Sequence, residues 1–204
     1  MWFMRVVSFN ANGIRSSARK DFFTWFLSQD IDVLCIQETK AQMKDLTDPI
    51  FSPEGYFRYY LDAEKKGYSG VMIYAKVKPV SVDYGLGFEL ADSEGRYIQL
   101  NWENLSIGSL YLPSGSSGEH RQEQKYKFMD NYTKFMQENV NKSMIICGDW
   151  NIVHKEIDIK NWKSNQKSSG CLPQERAWLD LLIDEIGWVD AFRVLNKEPH
   201  QYTW

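Results

Sequence analysis

Short stretches of this chain carry Val, Ile, Leu and Met without the polar alternation of a half-exposed strand: MRVVSFNA (4–11), DVLCIQE (32–38), GVMIYAK (70–76) and the run MIIC (144–147). A strand of that composition is expected to be covered on both faces, so further layers must pack against each side. RYIQLNWEN (96–104) does alternate, with Ile98, Leu100 and Trp102 on one face. LSIGSLYLP (105–113) follows at once, which predicts a hairpin turning near Glu103-Asn104. YFRYYLDA and PVSVDYG are further strand candidates. Helical spacing predicts a helix over 18–29 with Phe22, Trp25 and Phe26 inward. A second is predicted over 117–140, opened by a Ser116-x-x-Glu119 capping box and striped with Met129, Tyr132, Met136 and Val140. A third is predicted over 173–186, from Pro173 to Gly187, burying Leu179, Leu182, Ile183 and Ile186. Trp178 and Trp188 are expected in the core.

At 204 residues the chain suits one domain or two small ones, long enough to bury roughly 70% of its unfolded surface without a disulfide or structural metal. The formal charge of −3 gives no global attraction for polyanions, so any nucleic-acid contact needs a local concentration of Lys and Arg. Three cysteines without Cys-x-x-Cys spacing argue against zinc, and Cys35 and Cys147 sit in apolar runs as small buried thiols. MWFMRVV lacks a secretory pattern and no apolar run reaches membrane-spanning length. The expectation is a reduced, soluble, cytoplasmic protein. Strand candidates crowd before residue 114, and after it come the strand into Gly148, two helices and a QYTW that reads as a strand beginning. Two packed sheets need comparable strand numbers, so the second sheet is expected to be incomplete.

Four strand exits carry polar groups that a strand does not require: Asn10, Asn12 and Gly13; Glu38, Thr39 and Lys40; Tyr111 and Pro113; Asp149 and Asn151. Functional groups gather at such exits because a sheet holds them rigidly while their heads reach solvent. Each has an ordinary reading as well. Asn12-Gly13 suits a turn, Glu38 a solvated surface, Tyr111 a core aromatic with a wet hydroxyl, and Asp149 with Asn151 an Asx turn. Together they form an oxygen-rich set without thiol or imidazole, which suits a hard cation such as Mg²⁺ that keeps waters and is completed by phosphate. The segment 155–170 holds Lys155, Lys160, Lys163 and Lys167, readable either as a solvated loop or as a local positive patch. His120, His154 and His200 read as surface or supporting groups.

SFNANGIR, CIQETK, YLPSG, CGDWNIVHKEID and LPQERAWLDLL stand in an order and spacing that resembles the exonuclease III type of apurinic/apyrimidinic (AP) endonucleases. That family sits within the Mg²⁺-dependent endonuclease/exonuclease/phosphatase superfamily. The resemblance implies an α+β fold, a four-layer αββα sandwich of two packed mixed β-sheets, as one domain over 1–204. Residue by residue, it implies that Glu38 with Asn10 holds metal, joined by Asp149 and Asn151. Asp149 would align or deprotonate the attacking water, Asn151 would fix that water or the developing phosphorane charge, and Tyr111 would hydrogen-bond near the scissile phosphate. Lys40 would orient the acidic groups. Asn12, where several relatives carry Asp, Arg15, Lys40, Asn161 and Asn165 would meet the substrate, with Lys65-Lys66 as further backbone contacts. The implied activity is Mg²⁺-dependent hydrolysis, with Mn²⁺ as a substitute ion, of double-stranded DNA 5′ to abasic sites, with 3′→5′ exonuclease or 3′-phosphodiesterase action on damaged 3′ ends.

Relatives continue past the equivalent of QYTW with an Arg-x-Asp-Tyr context and a Ser-Asp-His, neither of which stands in this sequence. A C-terminal truncation, an exposed sheet edge and weakened or absent activity are therefore expected. Two rivals stand beside the nuclease reading. One is a phosphatase for small phosphoesters or lipids on the same metal site, against which the Asn/Lys loop and the PQER stretch argue. The other is a non-catalytic DNA-binding or interaction protein that keeps the fold.

Overall fold

Eight strands form two four-stranded mixed sheets in a computed structural model that describes residues 4–203. The first sheet has the order β1 (Val6–Asn10), β2 (Val33–Gln37), β4 (Val71–Ala75), β3 (Phe57–Leu61). The second has β5 (Ser81–Tyr84), β6 (Tyr97–Asn101), β7 (Ser106–Tyr111), β8 (Met144–Asp149). The chain divides into two compact units. One holds the chain up to Leu112 with Lys142–Trp150, and so both sheets; the other holds Pro113–Asn141 and the chain from Asn151 onward.

Most expected strands form. β2 and β4 are buried at every position, as their unbroken apolar sequences require. Leu34, Ile36, Met72 and Tyr74 pack with Ile14, Phe22, Phe23 and Phe26 on one side of the sheet. Val33, Cys35, Val71, Ile73 and Ala75 pack with Ile98, Leu100 and Ile107 of the second sheet on the other. β6 and β7 form the expected hairpin, closed by Trp102 N–H donating to the Leu105 carbonyl at 2.9 Å. β8 departs from expectation. It lies at the edge of its sheet, paired only with β7, and Ile145 is 40% exposed. The seven strands before residue 114 are shared between the sheets, and β8 is the fourth of the second. Residues 201–203 form no strand, and Trp204 lies outside the described residues.

The helices differ more. The stretch expected as one helix over 18–29 is two, α1 (Ile14–Ala18) and α2 (Phe22–Ser28), separated by Asp21 at φ +59°. Phe22, Phe23 and Phe26, at i, i+1 and i+4 of α2, form the buried aromatic face, while Trp25 between them is 44% exposed. A short α3 (Glu89–Ser93) follows β5. In the second unit, α4 (Glu119–Asn139) begins after Gly118 without a side-chain cap, so the Ser116/Glu119 box is not formed. Ser116 instead meets Ser114 Oγ at 2.9 Å. α5 (Trp162–Asn165) is a single turn, and α6 (Pro173–Asp180) continues as a π-helix over Leu181–Ile186 that Gly187 ends at φ +103°. Trp178 and Leu182 are the fully buried members of that face; Leu179, Ile183, Ile186 and Trp188 are half-buried. α7 (Ala191–Leu195) completes the helices.

Tyr60 gives the first unit a measurable alkaline limit. Its hydroxyl donates to the Ala41 carbonyl and lies 2.7 Å from Thr39 Oγ1, and burial pushes its pKa from 10.0 up to about 12. The unfolded chain therefore loses this proton first. The contribution is full below pH 10 and is lost as pH rises through about 12, an effect of roughly 2–3 kcal/mol. Urea midpoints measured from pH 8 to 12 should stay level and then fall, and Tyr60→Phe should flatten the fall.

Candidate active site

The directions of two strand pairs decide where the polar exits meet. β1 and β2 run parallel, and so do β7 and β8. Parallel neighbours bring their C-terminal ends to the same side, so Asn10 and Glu38 leave the first sheet together and Tyr111 and Asp149 leave the second together. The two sheets meet at these ends. Asn10 Nδ2 donates to Asp149 Oδ2 at 2.6 Å, across 139 residues of chain. Tyr111 sits opposite Asp149 in the β7–β8 register and its hydroxyl hydrogen-bonds to Glu38. Burial, then the Glu38 charge, hold the Tyr111 phenol protonated far above the usual tyrosine range. It is a hydrogen-bond donor at any working pH. Lys40 Nζ bridges Glu38 Oε1 at 2.8 Å and Asn12 Oδ1 at 2.6 Å, and Asn12 N–H donates to Asn10 Oδ1 at 2.8 Å.

The turn after β2 is held in a conformation its residues do not prefer. Glu38 and Lys40 have φ +56° and +48°, and Asn12 across from them has φ +42°. For a side chain other than Gly or Asn this left-handed region costs roughly 1–2 kcal/mol per residue. Neighbouring backbone enforces it from two sides: Gly13 and Ile14 donate to the carbonyls of Glu38 and Thr39 at 2.8 Å, while Thr39 and Lys40 donate to those of Gly70 and Ser69. Gly70 is required here, since a Cβ on it would lie 2.2 Å from Thr39 Oγ1.

Two residues of this surround were missed in the sequence pattern. Arg96 is buried; its guanidinium stacks 5.0 Å from the Tyr111 ring centroid and donates to the Tyr111 carbonyl, the Tyr68 hydroxyl and Glu94 Oε2 at 2.8, 3.0 and 2.7 Å. Tyr68 stands in the G-Y-S-G stretch, whose Gly67, Ser69 and Gly70 all have positive φ, and that glycine-bounded aromatic was the available clue.

The donor set fits a divalent ion of the hard class. Glu38 and Asp149 supply carboxylates and Asn10 an amide oxygen. Among the described residues no three His, Cys, Asp or Glu side chains gather as a metal-binding group. An all-oxygen site with one or two carboxylates suits an ion that retains water, not a closed thiolate or imidazole cage.

The remaining expected residues are placed as follows. Arg15 is exposed on α1, and Lys65 and Lys66 are exposed between β3 and β4. Asn151 is the first residue of the second unit, at φ +49°; its carbonyl accepts from Lys125 Nζ at 2.8 Å. Asn161 is exposed before α5, and Asn165 Nδ2 donates to its carbonyl at 2.8 Å. Glu175 of the PQER stretch is a structural hub. Wholly buried, it accepts from Lys125 Nζ at 2.6 Å, Gln122 Nε2 at 3.0 Å and the N–H groups of Gly170 and Leu172 at 2.7 and 2.9 Å. Arg176 lies 4.8 Å over the Trp162 ring. His154 Nε2 lies 2.7 Å from Asp180 Oδ1.

A family description, endonuclease/exonuclease/phosphatase, matches residues 7–204. The chain belongs to that family. An exodeoxyribonuclease of Bacillus subtilis is 38% identical over 98% of the chain, which spans 79% of that relative. The DNA repair nuclease APEX1 of Danio rerio is 36% identical over 98% of the chain, which spans 66% of that protein. Among solved structures, a 3′-5′ exonuclease of Neisseria meningitidis superimposes with a TM-score of 0.87 over 98% of this chain and 78% of its own, at 22% identity. The fold is therefore the α+β fold of this family, as the sequence implied, and the curated relatives are hydrolytic nucleases of the exonuclease III type.

Gly148 is what lets Asp149 sit where it does. A Cβ there would lie 2.6 Å from the Leu110 carbonyl oxygen and 2.9 Å from Leu110 Cβ, so β8 could not close on β7 one residue before Asp149. Gly148→Ala should destabilise the fold by about 1–3 kcal/mol in urea unfolding. An unchanged midpoint would show that β8 gives way at no cost.

Proposed function

We propose that this chain is a Mg²⁺-dependent nuclease of the exonuclease III type that cuts double-stranded DNA 5′ to abasic sites and trims damaged 3′ ends. The observation that carries the reading is the meeting of four strand ends, Asn10, Glu38, Tyr111 and Asp149, through a direct Asn10–Asp149 hydrogen bond. The names of the curated relatives, an exodeoxyribonuclease and a DNA repair nuclease, supply the substrate class.

Asp149 acts as the base. Its carboxylate takes a proton from the attacking water while Asn10 holds Oδ2 in a fixed direction. Asn151 donates to the water or to the phosphorane oxygens, and Tyr111, held protonated, turns its single proton from Glu38 to the scissile phosphate when DNA binds. Glu38 with Asn10 would hold the metal, and Lys40 and Tyr111 orient the Glu38 carboxylate. The ion, when bound, supplies charge neutralisation at the phosphate and the leaving oxygen. Arg15, Asn12, Asn161 and Asn165 contact the DNA, and the exposed Lys160, Lys163 and Lys167 provide the local positive charge that the net −3 lacks.

A synthetic duplex with one abasic site decides the matter. Cleavage 5′ to the lesion with Mg²⁺ should stop on chelation, and Asp149→Asn should slow it about 10²–10⁴-fold with an unchanged melting temperature. Binding of the duplex without cutting by the folded wild-type chain would favour the non-catalytic DNA-binding reading instead.

A further inference from the structure

Cys35 and Cys147 are far apart in sequence and serve no part of the chemistry above, yet their side chains meet. Cys35 lies on β2, wholly buried in the core between the sheets, and Cys147 on β8 packs against the same cluster. Cα atoms of β2 and β8 come within 8 Å. The contact has an independent marker: Ser109, the register partner of Cys147 on β7, donates to the Ile36 carbonyl at 3.2 Å and accepts from Gln37 Nε2 at 3.0 Å. The sheets thus touch at this level, and the two thiols hydrogen-bond to each other. Both are free, as is the buried Cys171.

We propose that Cys35 and Cys147 are an oxidation site, forming a reversible disulfide between the sheets on exposure to hydrogen peroxide. Cys147 is half-buried and Cys35 is not exposed at all, so the oxidant reaches Cys147 first. Its sulfur attacks a peroxide oxygen, the O–O bond breaks, and one water leaves with the thiol proton, giving a sulfenic acid. Cys35 sulfur then attacks the Cys147 sulfur, the S–O bond breaks, and a second water leaves with the Cys35 proton. Two thiols lose two electrons and the peroxide becomes two waters.

The bridge has a consequence for the strand ends above it. Cα atoms of β2 and β8 come within 8 Å, whereas bridged cysteines hold theirs within roughly 4.4–6.8 Å. Closing the bond draws β2 and β8 together three residues before Glu38 and two before Asp149. A displacement on the order of 1 Å in a reacting group costs about 10²-fold in rate. The loss of cutting rests on the nuclease reading; the bridge itself does not.

The test treats the native full-length chain with hydrogen peroxide and reads mass. The expected result is a loss of about 2 Da, two hydrogens, a linked Cys35–Cys147 peptide, and full reversal by dithiothreitol. The linked peptide should form unchanged in Cys171→Ser and be absent from Cys147→Ser and from the smaller Cys147→Ala. Oxygen added to Cys147 without a link, or a link to Cys171, would overturn the proposal. The oxidised protein should also cut the abasic duplex about 10²-fold more slowly, restored by dithiothreitol. A bridge that leaves cutting unchanged would overturn the inhibitory effect. A reduced protein that bridges on oxidation but never cuts would sink the nuclease reading and leave the thiol pair standing.

Discussion

Two pairs of parallel strands, one in each sheet, ending at the same level, are the constraint on which the site depends. An antiparallel neighbour would send its exit to the opposite end of the sheet. β1–β2 and β7–β8 instead deliver Asn10, Glu38, Tyr111 and Asp149 to one place, and the Asn10–Asp149 hydrogen bond ties the two deliveries together. The same geometry explains the backbone around it. Glu38, Lys40 and Asn12 accept left-handed conformations because the chain must turn at once after each strand to stay at that level, and backbone hydrogen bonds donated by Gly13 and Ile14 and accepted by Ser69 and Gly70 hold the turn.

The chemistry follows from how the polar groups are held in check. Tyr111 is kept as a donor by burial and by the charge it faces. Glu38 is shared between that hydroxyl and Lys40, so its carboxylate is oriented before anything binds. Arg96 supports the arrangement from below, stacked on Tyr111 and bonded to its carbonyl, with Glu94 balancing its buried charge. In the second unit the Lys125–Glu175 pair plays a comparable part, since Lys125 also holds the carbonyl of Asn151. A buried pair of this kind adds little net stability over an apolar pair, but losing one partner is costly, so it enforces one arrangement of the segment.

Much of this was legible in the sequence because the signals were local. The unbroken apolar runs of β2 and β4 announced strands covered on both faces, and the alternation of β6 announced its hairpin. The polar exits were visible as side chains that strands do not need. What was not legible depended on distant partners or on a single backbone angle. Asp21 at φ +59° splits the first helix, and α2 buries Phe23 in place of Trp25, which spacing alone cannot show. β8 has the composition of a central strand but an edge position, because composition reports apolar content and not which neighbours pair. Arg96 opens a strand like any surface arginine, and only the fold reveals that it is buried under Tyr111. Glu175 looked like part of a substrate motif, and its burial makes it a structural anchor.

The 139-residue separation of Asn10 and Asp149 has a bearing on how such a protein is made. At a synthesis rate of roughly 5–20 residues per second, β1 waits on the order of ten seconds on the ribosome before its partner across the sheets exists. During that interval the first sheet can assemble, since β1 to β4 are consecutive, but no catalytic constellation is possible. A nascent chain interrupted before β8 would carry all four strands of the first sheet but lack Asp149, the partner of Asn10 across the sheets.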